Sequence, residues 1–412
     1  MKRKKIGFLG LFGQQNLGND CTLQAIIYNA RKYIPDLEVF CICSGPDDVQ
    51  IKFDIPTFSI SDPFIKKFDS RVHSKHSNIV LKILRKIFIR LPSELLHWAM
   101  AFRTLMGTHM LIIPGTGFLT DAYTGPFGWS YGIFKWSLVA KLCRCKLLFV
   151  GVGAGPIYRP LSKWFTKRAL SMADFRSYRD ISTKEYLQSI GFSTNNDIVK
   201  PDLAFNLPEV LISHIEKIEK RRPVVGIGLM SYPGKLSVEN PNSATYTAYL
   251  EKLVIFVEWL LERGYDVRLL IGDLIYDEPA KNDFMELFRK SKSCHLVGRI
   301  IDEPILSVEH LLSQLAVIDF VVATRFHNVL LSIVLNKPVI SISFHHKCVS
   351  LMNEIGLSDY CQDIHQLDVD RLVEQFCSVE KNADNLKLLM KQKTQEYRLA
   401  LDDQYKLIFN GI

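Results

Sequence analysis

No apolar run in this 412-residue chain approaches the roughly 18 uncharged residues of a membrane span, so an integral membrane protein is excluded. Met1-Lys2-Arg3-Lys4-Lys5 resembles the charged start of a signal peptide. The apolar run behind it stops at Gly13-Gln14-Gln15-Asn16 without a small-residue cleavage site, and it reads better as a first strand. There is no Cys-x-x-Cys pair among nine cysteines, and no His partner at ligand spacing, so neither zinc nor any other metal is expected. Cys41 with Cys43 and Cys143 with Cys145 stand two apart in apolar runs, where a strand places both thiols on one face as core fillers. With no disulfide framework, a reduced, cytoplasmic protein is expected. A tight Gly-x-Gly-x-x-Gly turn is also missing, which removes the dinucleotide fingerprint, and no cofactor is expected.

What is present is globular: 48% hydrophobic and 23% charged residues, with a net charge of +8. That charge suits an anionic partner; nucleic acid is set aside, because the cations are spread along the chain without a nucleic-acid fold signature. The length exceeds one core, so two domains are expected. Strand-like runs at Ile6–Phe12, Leu37–Cys43, Met110–Pro114, Lys146–Val150 and Phe175–Arg179 alternate with helix-like segments. The pattern restarts after Pro223 with Val224–Gly228, Asp266–Ile271, His295–Leu296, Phe320–Ala323 and Val339–Ser343. This alternation predicts an α/β protein of two Rossmann-like, doubly wound parallel-sheet domains facing a cleft. The expected divisions are 1–210 on the acceptor side, 222–380 on the donor side and a closing helix over 381–412. Ligands of such sheets bind beyond the strands' carboxyl ends, so the loops there are the places to look.

Three glycine-bearing loops follow strands of the first half. Gly10 to Asp20 contains Asn16 and Gly18 and runs into a helix, whose start offers unpaired N–H groups to an anion. Asp20 is read either as a helix cap or as a functional carboxylate. Pro114 to Asp121 contains Gly117, and Asp121 could hold a sugar hydroxyl or take its proton. Gly151-Val152-Gly153-Ala154-Gly155-Pro156 is the third. Farther on, Arg179 either reaches into the cleft or bridges to a carboxylate, with Asp180 as a helix cap. In the second half, Thr324-Arg325-Phe326-His327 stands where a buried strand turns into a helix. Arginine offers a planar fork for carboxylate or phosphate, and histidine exchanges a proton near neutral pH. One strand later, His345, His346 and Lys347 again put cationic groups at a strand's end.

In order, these loops resemble the polysaccharide pyruvyl transferase family over roughly residues 6–360. Asn16-Leu17-Gly18-Asn19-Asp20, Gly115-Thr116-Gly117 with Asp121, Gly151 to Pro156, Arg179-Asp180, Asp202 to Phe205, and Arg325-x-His327 with Lys347 carry the likeness. Asn19 replaces a frequent Asp, shifting an acidic role to Asp20, and Phe344-His345 replaces an aromatic-Asp pair. The resemblance implies a fold like the two-domain GT-B glycosyltransferases. It also implies transfer of a pyruvyl group from phosphoenolpyruvate to two hydroxyls of a sugar or lipid-linked saccharide, in polysaccharide or glycolipid biosynthesis. On that reading Arg325 and Lys347 grip the donor, His327 is the general acid, and Asp20 or Asp121 takes the acceptor's proton. Asn16, Gly18, Gly117, Gly153, Arg179 and His345 line the substrates.

Two alternatives stand beside it: a GT-B enzyme using a nucleotide sugar, and a carbohydrate-binding protein without catalysis. Residues 79–103 mix Trp98 and aliphatics with Lys82, Arg85, Lys86, Arg90 and Arg103. That stretch either lies peripherally on the inner face of an anionic membrane or packs one apolar face on the sheet.

Overall fold

A computed structural model describes residues 3–61, 91–122, 124–213, 222–232 and 243–410. Residues 79–90 of the basic stretch expected at 79–103, with Lys82, Arg85, Lys86 and Arg90, therefore lie outside the described residues; from 91 it belongs to the helix Leu91–Leu105. Contacts divide the chain into two units. One comprises Met1–Gln14, Thr22–Leu203 and Asp403–Ile412; the other comprises Gln15–Cys21 and Ala204–Asp402. The expected division at 210–222 thus shifts to 203–204. More consequentially, Asn16, Gly18 and Asp20, expected on the first domain, group with the second.

The first sheet is wholly parallel, in the order β3-β2-β1-β4-β5-β6-β7. Its strands are β1 (Lys5–Gly10), β2 (Glu38–Cys43), β3 (Thr57–Ser59), β4 (Met110–Pro114), β5 (Lys146–Val152), β6 (Phe175–Tyr178) and β7 (Ile198–Val199). Every residue of β4 is buried, which is why its sequence is continuously apolar and does not alternate. Ile113, Phe149, Trp136 and Leu147 share its core.

The second sheet is also parallel: β10-β9-β8-β11-β12-β13. It is built from β8 (Val224–Gly228), β9 (Asp266–Leu270), β10 (Ile300–Ile301), β11 (Phe320–Ala323), β12 (Val339–Ser343) and β13 (Cys361–Asp363). His295–Leu296, expected as a strand, lies in the 3-10 turn Cys294–Arg299, and the edge strand begins just after it. Two apolar residues among polar neighbours carry no period that separates a strand from a turn. Ala383–Phe409 forms a single helix, as its apolar spacing predicts. No helix among the described residues is long and apolar enough to cross a membrane.

Phe149 is fully buried in β5, between β4 and β6. Phe149→Ala should cost about 3–5 kcal/mol, because the surrounding strands cannot collapse onto the hole. Urea unfolding should show the loss; a change under about 1 kcal/mol would contradict the packing described.

Candidate functional site

Within the second unit, the ends of three neighbouring strands converge on one acid. Asp277 is fully buried just ahead of the helix Glu278–Arg289. Its carboxylate accepts the Ser231 N–H at 3.1 Å, the Gly272 N–H at 3.2 Å and the Asp273 N–H at 3.0 Å. These groups follow β8 and β9. From the end of β11, Arg325 adds its planar fork: Nε donates to Asp277 Oδ2 at 2.8 Å and Nη2 donates to Oδ1. Burial raises the Asp277 carboxyl above its ordinary value, while the guanidinium and the Ser231 N–H pull in the opposite direction.

Asp273 extends the arrangement to residues 15–21. Its Oδ1 accepts the N–H groups of Ile275 at 3.2 Å and Tyr276 at 2.9 Å, and its Oδ2 accepts Asn16 Nδ2 at 3.0 Å. Leu17 N–H donates to Gly272 O at 3.1 Å, and Leu274 N–H to Gln15 O at 3.0 Å. Asn16 Oδ1 in turn accepts the Asn19 N–H at 3.2 Å, at the start of the helix Leu17–Tyr33. Asn16 is therefore the cap, and the reading of Asp20 as cap is corrected. Asp20 lies in the helix's first turn and is buried.

This places Gly18 directly against His327. A Cβ built on Gly18 would overlap the imidazole at Nδ1, so the glycine is required for close approach and not for backbone freedom. His327 sits in the first turn of the helix Phe326–Val334, with Arg325 in the cap position. Lys347 Nζ stands 5.4 Å from the Phe326 ring centroid and 5.8 Å from that of Phe344. Attraction to the ring faces steadies the ammonium at the start of the helix His346–Ile355. His345 caps that helix, its Nδ1 accepting the Lys347 N–H at 3.4 Å, and its ring lies 4.1 Å from that of His346. Asn16 and Arg325 are thus held in one bonded network through Asp273 and Asp277, with Gly18 and His327 in close approach beside it and Lys347 against the neighbouring Phe326.

The remaining candidates lie in the first unit. Asp121 is fully buried and accepts the N–H groups of Tyr158 at 2.8 Å and Arg159 at 3.0 Å. Burial alone would raise its carboxyl, but these hydrogen bonds and the Arg159 guanidinium outweigh it and hold the group below its ordinary value. A carboxylate so committed is a poor base; here it ties the 115–121 loop to the loop after β5. Arg179 takes the second of its two readings: Nε lies 3.5 Å from Asp180 Oδ2 and Nη1 lies 3.8 Å from Asp202 Oδ2. A Cβ on Gly153 would meet Arg179 Nη2 at 2.5 Å, so this glycine makes room for the guanidinium. Asp180 caps its helix, accepting the Thr183 N–H at 2.6 Å. Gly117 alone is exposed, with nothing within 4 Å of where its Cβ would be.

Asp273 and Asp277 are the site residues that sequence reasoning missed. A signal existed, because Gly272-Asp273 follows a strand as the chosen loops do, and Asp277 stands two residues before Pro279 at a helix start.

The family model described as polysaccharide pyruvyl transferase matches residues 16–346. The chain is similar to the amylovoran biosynthesis protein AmsJ of Erwinia amylovora, 20% identical over 421 residues and covering 96% of each chain. HepE of Anabaena, solved in complex with UDP and glucose, superposes with a TM-score of 0.60 at 12% identity, covering 100% of each chain. The UDP-GlcNAc 2-epimerase of Methanocaldococcus jannaschii does so with a TM-score of 0.57 at 12% identity, covering 90% of this chain and 91% of its own. These structural likenesses establish the fold, two parallel-sheet α/β units of the GT-B kind.

Two outcomes follow from the geometry. Gly18→Ala should displace the His327 ring and lower activity at least about tenfold, while unfolding stability falls by no more than about 3 kcal/mol. Wild-type turnover in this variant would refute the close approach. For Asp121, a native carboxyl held below its ordinary value stabilises the fold above about pH 4, the unfolded value, and the contribution is lost as pH falls through the native one. Asp121→Asn should therefore cost about 1–3 kcal/mol at neutral pH, with the gap to wild type narrowing below about pH 4. A gap that stays constant down to pH 3 would refute it.

Proposed function

We propose, from the premise that this chain belongs to the polysaccharide pyruvyl transferase family, that it moves a pyruvyl group from phosphoenolpyruvate onto two hydroxyls of one sugar in polysaccharide biosynthesis. The observation that carries the reading is the arrangement of His327 against Gly18, beside the Arg325–Asp277 pair, with Lys347 one ring away. Phosphoenolpyruvate presents a carboxylate and a phosphate. The starts of the helices Phe326–Val334 and His346–Ile355 favour anions, and Lys347 supplies a cation. Arg325 has its fork in Asp277, so its share is orientation and a partly balanced charge. His345 borders the donor beside Lys347.

His327 delivers a proton to the donor's methylene carbon, which becomes a methyl group as one sugar hydroxyl adds to the adjacent carbon and releases its own proton. The second hydroxyl then displaces phosphate from that carbon, its proton leaving with the phosphate, and the ketal ring closes. Asp20, in the same unit and beside the same glycine, suits the base role better than Asp121, whose carboxylate is committed to backbone N–H groups. Gly117, Gly153 and Arg179 belong with the acceptor, a sugar or lipid-linked saccharide held by the first unit. Work on a lipid-linked acceptor places the protein in the cytoplasm, in peripheral contact with the membrane.

The fold also suits a nucleotide-sugar donor, since HepE of Anabaena, which shares it, was solved in complex with UDP and glucose. Incubation of purified chain with each donor and candidate acceptors separates the readings: phosphate release with a pyruvyl mass increment supports ours, and nucleotide release supports the other. His327→Ala should lower turnover about 10²–10⁴-fold with the fold intact. A folded variant with full turnover would remove the general-acid role.

A further inference from the structure

We propose that the face of the first unit formed by the start of the helix Leu91–Leu105, the turn at 124–128 and the start of the helix Pro160–Ser171 docks on an anionic lipid bilayer. Leu95 is 63% exposed, Leu96 68%, Phe127 73%, Tyr158 66% and Trp164 44%. A lone exposed apolar residue needs no explanation, but a contiguous set does. These are joined through rings beneath them. Glu94 on the first helix accepts Tyr131 OH at 2.8 Å; Tyr131 packs on Phe127 at 5.9 Å; Phe127 packs on Phe165 at 6.1 Å, and Phe165 on Trp164 at 5.3 Å. Phe127 and Trp164 thus belong to a fixed aromatic cluster that reaches the start of the first helix through Tyr131 and Glu94.

Charge identifies the occupant. The segment 159–171, at the start of the third element of this face, contains Arg159, Lys163, Lys167 and Arg168 and no acid; the acids facing it are Glu94 and Asp121. Glu94 pairs with Lys135 at 2.8 Å, and Asp121 is fully buried. Arg159 and Arg168 are exposed, and the Arg168 guanidinium lies 5.7 Å from the Trp164 ring centroid. Tryptophan, tyrosine and phenylalanine beside exposed arginines form the chemistry that settles at a lipid headgroup boundary. Position agrees: the turn at 124–128 follows β4, and Tyr158 follows β5, at the edge where the loops of Gly117 and Gly153 emerge. This deepens the acceptor reading above and rests on it, since a lipid-linked saccharide would be presented at that edge.

The full chain should sediment with vesicles of phosphatidylcholine and phosphatidylglycerol at low salt, and about tenfold less with phosphatidylcholine alone or at high salt. Leu95→Ser combined with Phe127→Ser, both exposed and checked for fold by circular dichroism, should weaken sedimentation about tenfold. No binding to anionic vesicles overturns the proposal. Binding unchanged by the double substitution also overturns it, as does a dimer in light scattering that the substitution abolishes, which would assign the face to a second copy. Phosphate release from phosphoenolpyruvate with a water-soluble acceptor does not require a bilayer. It should persist in the double variant, so failure of docking and failure of the reaction are told apart.

Discussion

The fully buried carboxylate of Asp277 is the constraint on which the second unit's candidate site depends. Taking an anion out of water is expensive, and the cost is offset only if every lone pair finds a donor. Here three backbone N–H groups and the Arg325 fork do so, from the ends of β8, β9 and β11, which are adjacent in the sheet. The loops that must be precise are thereby tied to one another at their roots. Removing either partner of such a pair strands the other, a loss on the order of 3–5 kcal/mol. The pairing is therefore a positional device before it is a source of stability.

Its consequence for chemistry is a division of labour. A guanidinium already facing a carboxylate has little net charge left for the proposed anionic donor, but it is held in one orientation. His327 is two residues farther on, and its ring lies where the Gly18 side chain would be if residue 18 had one. Gly18 is fixed because Asn16 caps its helix and is itself held by Asp273. The imidazole is thus bounded by a chain of contacts that runs through two acids, neither of which need touch a ligand. Positional control of this kind matters because misplacement by about 1 Å can cost two orders of magnitude in rate.

Much of the fold was legible in the residues. Continuous apolar runs such as Met110–Pro114 and Val339–Ser343 give buried parallel strands, with boundaries that agree with the structure. Short edge strands were not legible, because Ile300–Ile301 and Cys361–Asp363 are too brief for a period. Arg325 and His327 stood out by their place between a strand and a helix. The partners that organise them did not, since Asp277 is distant in sequence and its value lies in which N–H groups surround it. Grouping of residues 15–21 with the second unit was equally hidden: it depends on Asn16 meeting Asp273, 257 positions away. Asp121 and Arg179 were noticed for the right reason, their unusual loops, but polar residues at such turns often serve the fold: Asp121 accepts backbone N–H groups, and Arg179 faces Asp180 and Asp202.

The two units also differ in what they offer a ligand, and the difference favours one assignment of donor and acceptor. In the first, Asp121 is committed to backbone N–H groups, and Arg179 faces Asp180 and Asp202. Charges balanced in this way leave glycine surface and backbone groups, which suit a neutral polyhydroxyl compound better than an anion. In the second, Lys347 is steadied on two aromatic faces, and two helix starts are presented beyond β11 and β12. That combination suits a small anion carrying both carboxylate and phosphate. If the opposite assignment held, a donor carrying carboxylate and phosphate would lie among paired charges in the first unit, and a neutral sugar would gain nothing from the lysine. The proposed assignment of donor to the second unit and acceptor to the first rests on this contrast in charge.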